Sequence, residues 1–111
     1  MDTLYATFGS GNCYKAHLAF RQLDKPYQTR WVDVLKGETR QPAYLAVNPE
    51  GTVPCLVTEG GTMIAESNAM LWYIAGNSKL IPRTHLERAE AVQWMIFEQR
   101  RLEPFISPAR F

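Results

Sequence analysis

The sequence has little of what several functional classes need. It holds two cysteines and two histidines in 111 residues. Cys13 and Cys55 stand forty-two positions apart, which is neither a disulfide framework nor a Cys-x-x-Cys redox pair. With only His17 and His85 beside them, a structural zinc site has no ligand set. Charge of one sign is also lacking, since twelve basic and eleven acidic side chains leave a net +1. A chain without a cationic surplus cannot gain much from counterion release, which excludes nucleic acid as a partner. No apolar run approaches the roughly 18 residues of a membrane span. The opening Met1-Asp2-Thr3-Leu4-Tyr5 has neither a basic start nor an apolar core, so it does not read as a secretory signal. A reduced, cytoplasmic protein without metal is the expectation.

The remainder is globular in character, with 46% apolar and 21% charged residues. At roughly 100–200 residues per domain, the length allows one domain and little more. A domain this short buries only about 60–65% of its unfolded surface, so modest stability is expected unless a partner covers more. Thr3 to Phe8 alternates and carries aromatics, which predicts a strand. Gly9-Ser10-Gly11-Asn12 is a turn ending in capping residues. Cys13, Ala16, Ala19, Phe20 and Leu23 then recur at helical spacing. Asp24-Lys25-Pro26 breaks this helix, and Tyr27 to Leu35 predicts a second strand.

Lys36 to Arg40 is a polar loop, and Pro42 to Val47 suits a short helix opened by proline. Asn48-Pro49-Glu50-Gly51 has turn chemistry. Val53 to Val57 and Thr62 to Ala65 predict a hairpin around Glu59-Gly60-Gly61, and a helix capped by Ser67 runs to about Ala75. The order βαβαββα implies an α/β fold, a mixed four-stranded sheet with helices on its faces.

After Leu80-Ile81-Pro82 the character changes. Thr84 and Glu87 form a capping box, and from Ala91 to Phe97 only Gln93 is polar, so this helix is expected to be covered on several sides. Fourteen residues follow Phe97, interrupted by Pro104 and Pro108. This is the beginning of a second, all-helical unit, and the expected division is 1–80 and 81–111. The buried helix begins without enough protein to bury it, which points to a truncated chain, a proteolytic fragment or an obligate oligomer.

Three segments carry chemistry. Gly9 to Cys13 opens the first helix, where unsatisfied N–H groups and partial positive charge stabilise an anion. A hydrogen bond from Ser10 to a thiolate would lower a thiol's pKa, or Ser10 and Asn12 are caps alone. Asn48 to Pro54 carries an X–Pro bond at a strand start, where a cis isomer would leave the N–H and C=O of Val53 open to a peptide-like ligand. Glu66-Ser67-Asn68-Ala69-Met70 opens a helix with no internal Glu or Gln competing for its N–H groups. An external carboxylate fits there, and Glu66 could accept an ammonium.

In this order and spacing, the segments resemble the N-terminal, thioredoxin-like domain of the cytosolic glutathione transferases, over about residues 3–82. The specific parts are Asn48-Pro49-x-Gly51-x-Val53-Pro54 and Glu66-Ser67-Asn68-Ala69-Met70-x-x-Tyr73. The resemblance implies glutathione as co-substrate, with Val53 before a cis Pro54 pairing with its cysteinyl backbone. Glu66 and Ser67 would hold the γ-glutamyl end, and Lys36, Thr39 or Arg40 the glycine carboxylate.

The catalytic position falls on Ser10, with Asn12 and Cys13 as alternatives used by other family members. Cys13 shares the helix face of Ala16 and Phe20, which also suits a buried structural thiol. The implied reaction is thiolate attack on a small electrophile, without metal or redox cofactor, in a homodimer. A glutathione-dependent thiol/disulfide reductase using Cys13, or a non-catalytic interaction module, stands as the alternative.

Overall fold

Alternation along the first strand decides the layout of the sheet. Residues 1–109 are described by the computed structural model, which forms two compact units, 1–74 and 75 onward. In β1 (Asp2–Ala6), Leu4 and Ala6 point to one face and are fully buried, while Tyr5 points to the other. Beneath Leu4 and Ala6 lies α1 (Gly11–Gln22), whose buried side chains are Cys13, Ala16, Ala19 and Phe20. Met70 and Ile74 of α3 (Ser67–Ala75) and Leu56 complete this core. Tyr5 meets Tyr44 edge-on, 5.9 Å between ring centroids, beside Val32 and Cys55 in a second small core. Tyr44 belongs to α2 (Pro42–Val47), so α2 covers the opposite face from α1 and α3.

The sheet order is β2-β1-β3-β4, with β2 (Tyr27–Trp31) parallel to β1. β3 (Cys55–Val57) and β4 (Met63–Ile64) run antiparallel to their neighbours, in the registers Leu4↔Leu56 and Leu56↔Ile64. The βαβαββα order is the predicted one, and the strands are shorter than their patterns. β2 stops at Trp31, short of the expected Leu35, after one last bond from Val32 N to Ala6 O. Asp33 Oδ1 then accepts from Lys36 N and Val34 O from Gly37 N, which turns the chain off the sheet. β3 starts at Cys55 because its ladder begins with the Tyr5–Cys55 pair and Pro54 has no N–H to offer.

His17 of α1 sits at the edge of this unit between Tyr27 and Trp31, on which Phe8 stacks at 4.0 Å. Its Nδ1 lies 2.8 Å from the Tyr27 hydroxyl, while Nε2 is buried with no hydrogen-bond partner among the described residues. Burial, with Arg21 as the lesser cause, pulls the imidazole below its ordinary value of 6.5. The unfolded chain therefore binds this proton more tightly than the folded one. Stability from the neutral ring is complete above the unfolded value and is lost as pH falls through the folded value. Urea denaturation of wild type is expected to shift to lower midpoints between about pH 7.5 and about pH 5 by more than that of His17→Asn. Equal pH dependence in the two proteins would assign the effect elsewhere.

In the second unit, Thr84 caps α4 (His85–Phe97) by accepting from Glu87 N at 3.1 Å. The reciprocal half of the expected box differs, because the Glu87 carboxylate accepts the Thr84 hydroxyl at 2.9 Å rather than the backbone N–H. Among the described residues, α4 has no buried side chain, and Trp94, Ile96 and Phe97 are exposed. The cover expected for Ala91 to Phe97 is thus not supplied by the described residues. Pro104 also fails to interrupt the helix. A π-helical turn (Glu98–Leu102) precedes it, with Glu103 N donating to Glu98 O, and α5 (Glu103–Ala109) continues with Pro108 inside. The widened turn frees the carbonyl that a proline ring would otherwise strike.

Candidate functional site

The opening of α1 is built by Gly9, at φ +81°, which turns the chain out of β1. Ser10 then sits in extended conformation as the N-cap, its Oγ accepting from Cys13 N at 3.2 Å. An oxygen that accepts through a lone pair keeps its own proton for a further acceptor. That single proton can go to an outside acceptor or to the Cys13 sulfur, not to both at once. Asn12 follows, half-buried, at the second helical position.

Cys13 is placed differently, within the core at 1% exposure. Burial raises its thiol pKa, and hydrogen bonding from Ser10 and the Thr7 backbone offsets only part of that. A raised pKa leaves the neutral thiol, which is the poor nucleophile. Cys55 is buried too, and burial pushes it up to about 11.

The second segment is held by side chains that sequence reasoning passed over. Asn48 is fully buried. Its Nδ2 donates to Thr52 O at 3.0 Å and to Thr52 Oγ1 at 3.2 Å, while its Oδ1 accepts from Glu50 N. The Tyr44 hydroxyl donates to the same Thr52 O at 2.5 Å, and burial holds that phenol well above its ordinary range, hence protonated. The carbonyl of Thr52 is thus fixed immediately before Val53. The Val53–Pro54 bond is cis, and Val53 lies just outside the β1–β3 ladder.

Against this turn stands the 3₁₀ segment Glu38–Arg40, whose Thr39 is buried. A Cβ on Gly51 would lie 2.9 Å from Thr39 O and 3.2 Å from Arg40 Nη1. Of Lys36, Thr39 and Arg40, Arg40 thus brings its charged group to the turn that feeds Val53. Lys36 instead lines a cavity of about 480 Å³ between β2 and α2, together with Arg30, Trp31 and Tyr44.

The third segment corrects the expected cap. Met70 N donates to Glu66 O at 2.9 Å, so Glu66 occupies the N-cap position and Ser67 is the first helical residue. The helix begins one residue earlier than the Ser67 cap implied. Glu66 is exposed and Ser67 is buried. The third helical position becomes Ala69, so the mouth still holds no Glu or Gln side chain of its own in the first turn.

One contact joins α1 to the third segment. Lys15 Nζ, from the second turn of α1, donates to Asn68 Oδ1 in the first turn of α3 at 2.7 Å. Among the described residues, no cluster of His, Cys, Asp or Glu could hold a metal ion, and no helix is long and apolar enough to cross a membrane.

Residues 9–76 match the family model described as the N-terminal domain of glutathione S-transferase. A curated relative, glutathione S-transferase 1 of Schizosaccharomyces pombe, is 34% identical over 103 residues, covering 86% of this chain and 45% of its own. The crystal structure of a possible glutathione S-transferase from Rhodopseudomonas palustris superposes with a TM-score of 0.95 at 53% identity, covering 99% of this chain and 54% of the other. A glutathione transferase homologue from Sulfitobacter, solved with bound glutathione, superposes with a TM-score of 0.84 at 33% identity, over 90% of this chain and 49% of the other. The chain spans about half the length of these relatives.

Proposed function

The chain belongs to the glutathione S-transferase family, and from that premise we propose that residues 1–80 bind glutathione and present its thiolate to a small electrophile. The observation that carries this reading is the Lys15–Asn68 contact, which brings the second turn of α1 to the first turn of α3. An extended tripeptide has anionic groups at its ends and a thiol at its centre, and the candidate groups follow that order. The γ-glutamyl carboxylate meets the N–H groups and hydroxyl at Ser67, and its ammonium meets Glu66. The cysteinyl main chain pairs with Val53, and Arg40 takes the glycine carboxylate. The thiol rests at Ser10.

Chemistry then needs little from the protein. The Ser10 hydroxyl donates to the sulfur, which favours the thiolate, and the helix opening adds to this. The thiolate attacks an electrophilic carbon, a C–S bond forms, and the displaced group leaves with the electron pair. Proximity supplies much of the rate gain. The burial of Cys13 speaks against a reductase built on that thiol. A homodimer in the cytoplasm belongs to the same reading.

Calorimetry with glutathione tests it. Binding with a Kd of about 0.1 mM, worth about 5.5 kcal/mol, is expected. A ligand lacking the glycine residue should bind about tenfold more weakly if Arg40 acts as assigned. No heat at millimolar glutathione would leave a non-catalytic interaction module as the better account.

A further inference from the structure

The end of α2 carries two side chains that converge on one atom. Tyr44 lies in the helix and Asn48, four positions on, is its C-cap. The Tyr44 hydroxyl donates to Thr52 O at 2.5 Å, and Asn48 Nδ2 donates to the same oxygen at 3.0 Å. Both donors are buried, at 5% and 0% exposure. A carbonyl oxygen has two lone pairs, and here side chains of the core fill both. One donor would satisfy the oxygen; two also fix the direction in which it points. Thr52 O belongs to the same planar peptide unit as the Val53 N–H, so fixing one group fixes the other. Val53 lies just outside the β1–β3 ladder, and no backbone hydrogen bond takes its N–H among the described residues.

We propose that Tyr44 and Asn48 are positioning residues for the main chain of glutathione: by clamping Thr52 O they aim the Val53 N–H at the cysteinyl carbonyl and strengthen it as a donor. This rests on the glutathione-binding reading above. Donation to a carbonyl draws electron density from its amide nitrogen, and linked hydrogen bonds strengthen one another by roughly 10–30% per bond. A peptide plane already held also costs nothing to order when the ligand arrives. Burial keeps the Tyr44 phenol protonated, so it serves as a donor throughout the neutral range. Both donors are uncharged, and their effect falls on the ligand's main chain rather than on its charged ends.

The test uses the whole chain and glutathione. Tyr44→Phe keeps the ring, with its edge-on contact to Tyr5, and removes one of the two donors. Its Kd by calorimetry is expected to rise about fivefold. The thiol pKa of bound glutathione should stay at its wild-type value, because Ser10 is untouched. In the proton–nitrogen NMR spectrum, glutathione should move the Val53 amide proton downfield, and less far in Tyr44→Phe than in wild type. Gly37→Ala, with φ +77° and open space around its Cβ, is the destabilised control, and its Kd should stay within about twofold of wild type.

A Tyr44→Phe protein that binds glutathione like wild type overturns the proposal. So does a Val53 amide that glutathione leaves unmoved in wild type. A loss shared with Gly37→Ala, or a thiol pKa that shifts along with affinity, does the same, because a general slackening of the unit would produce either. Unfolding of Tyr44→Phe, seen by circular dichroism, moves the comparison to Asn48→Asp, which keeps the acceptor for Glu50 N and replaces the donor by a second oxygen. Its Kd must rise while the thiol pKa does not, and an unaltered Kd overturns the proposal. If wild type itself gives no heat with glutathione, the binding reading fails and this proposal falls with it. Binding by wild type that is indifferent to loss of the clamp overturns this proposal alone.

Discussion

Replacing Ser10 by alanine is expected to return the thiol of bound glutathione to about its free pKa near 8.5. In the wild type, the Ser10 hydroxyl should hold it about two units lower, which corresponds to about 2.7 kcal/mol in favour of the anion. At about pH 6.5 the thiolate fraction would then fall from about one half to about one hundredth. Conjugation should slow in proportion, by roughly 50-fold. The ultraviolet absorbance of the thiolate, followed against pH in the complex, measures the shift directly.

The same oxygen also accepts from Cys13 N at 3.2 Å, so the alanine protein loses a cap worth about 1 kcal/mol. Two further variants separate the roles. Ser10→Thr keeps both cap and donor and should retain the low thiol pKa. Ser10→Asp keeps the cap but sets a carboxylate against the thiolate, so stability should survive and conjugation should not. An unshifted thiol in Ser10→Ala would reduce Ser10 to a cap and return the catalytic position to Asn12. Cys13 gains nothing from that outcome, because its own thiol is buried at 1% exposure and its pKa is raised.

How much of this was legible in the sequence depends on how local each cause is. The Gly9-Ser10 turn, the hairpin at Gly60-Gly61 and the Thr84 cap follow from residues within four positions of one another, and the pattern showed them. The face assignment of Leu4 and Ala6 against α1 follows from two periodicities that meet in one core. Strand ends were less legible. β2 loses its last predicted residues to the side chain of Asp33, which competes for backbone N–H groups with a sheet edge that offers little more.

The helix through Pro104 departs from its sequence pattern for a different reason. Proline's cost assumes an α-helical turn before it, and a π turn removes the clash. Residue type alone favours Ser67 as the cap, whereas the bond from Met70 N to Glu66 O decides the position. The site divides in the same way. Ser10, Val53, Pro54 and Glu66 lie in motifs that a reader can find. Lys15 with Asn68, Asn48 with Thr52, and Arg40 rather than Lys36 are matters of tertiary approach. Asn48 left a usable signal, since an asparagine opening a turn before an X–Pro strand has both a donor and an acceptor to spend on that turn.

Gly51→Ala is expected to destabilise the first unit by about 2–3 kcal/mol, through two effects that a second glycine separates. Gly51 has φ +67°, a conformation that costs an L-residue roughly 1–2 kcal/mol. Its Cβ would also stand 2.9 Å from Thr39 O and 3.3 Å from Leu45 Cδ2. The Arg40 tip, at 3.2 Å, can swing aside; a backbone carbonyl cannot move without displacing the 3₁₀ turn that carries it. Gly37 has nearly the same backbone, φ +77°, but nothing within 4 Å of its would-be Cβ. Gly37→Ala should therefore show the conformational cost alone, about 1 kcal/mol.

Urea midpoints at unchanged m give both numbers. Equal losses would mean that the Thr39 carbonyl yields freely and that the turn before Val53 is soft. A larger loss at Gly51 means that Arg40 is carried on a wall that cannot retreat, and glutathione affinity should then fall in Gly51→Ala but not in Gly37→Ala. In the proposed site, the two helix openings would attract an anionic peptide, and the packed turn at Gly51 would set the length that peptide spans from Glu66 to Arg40.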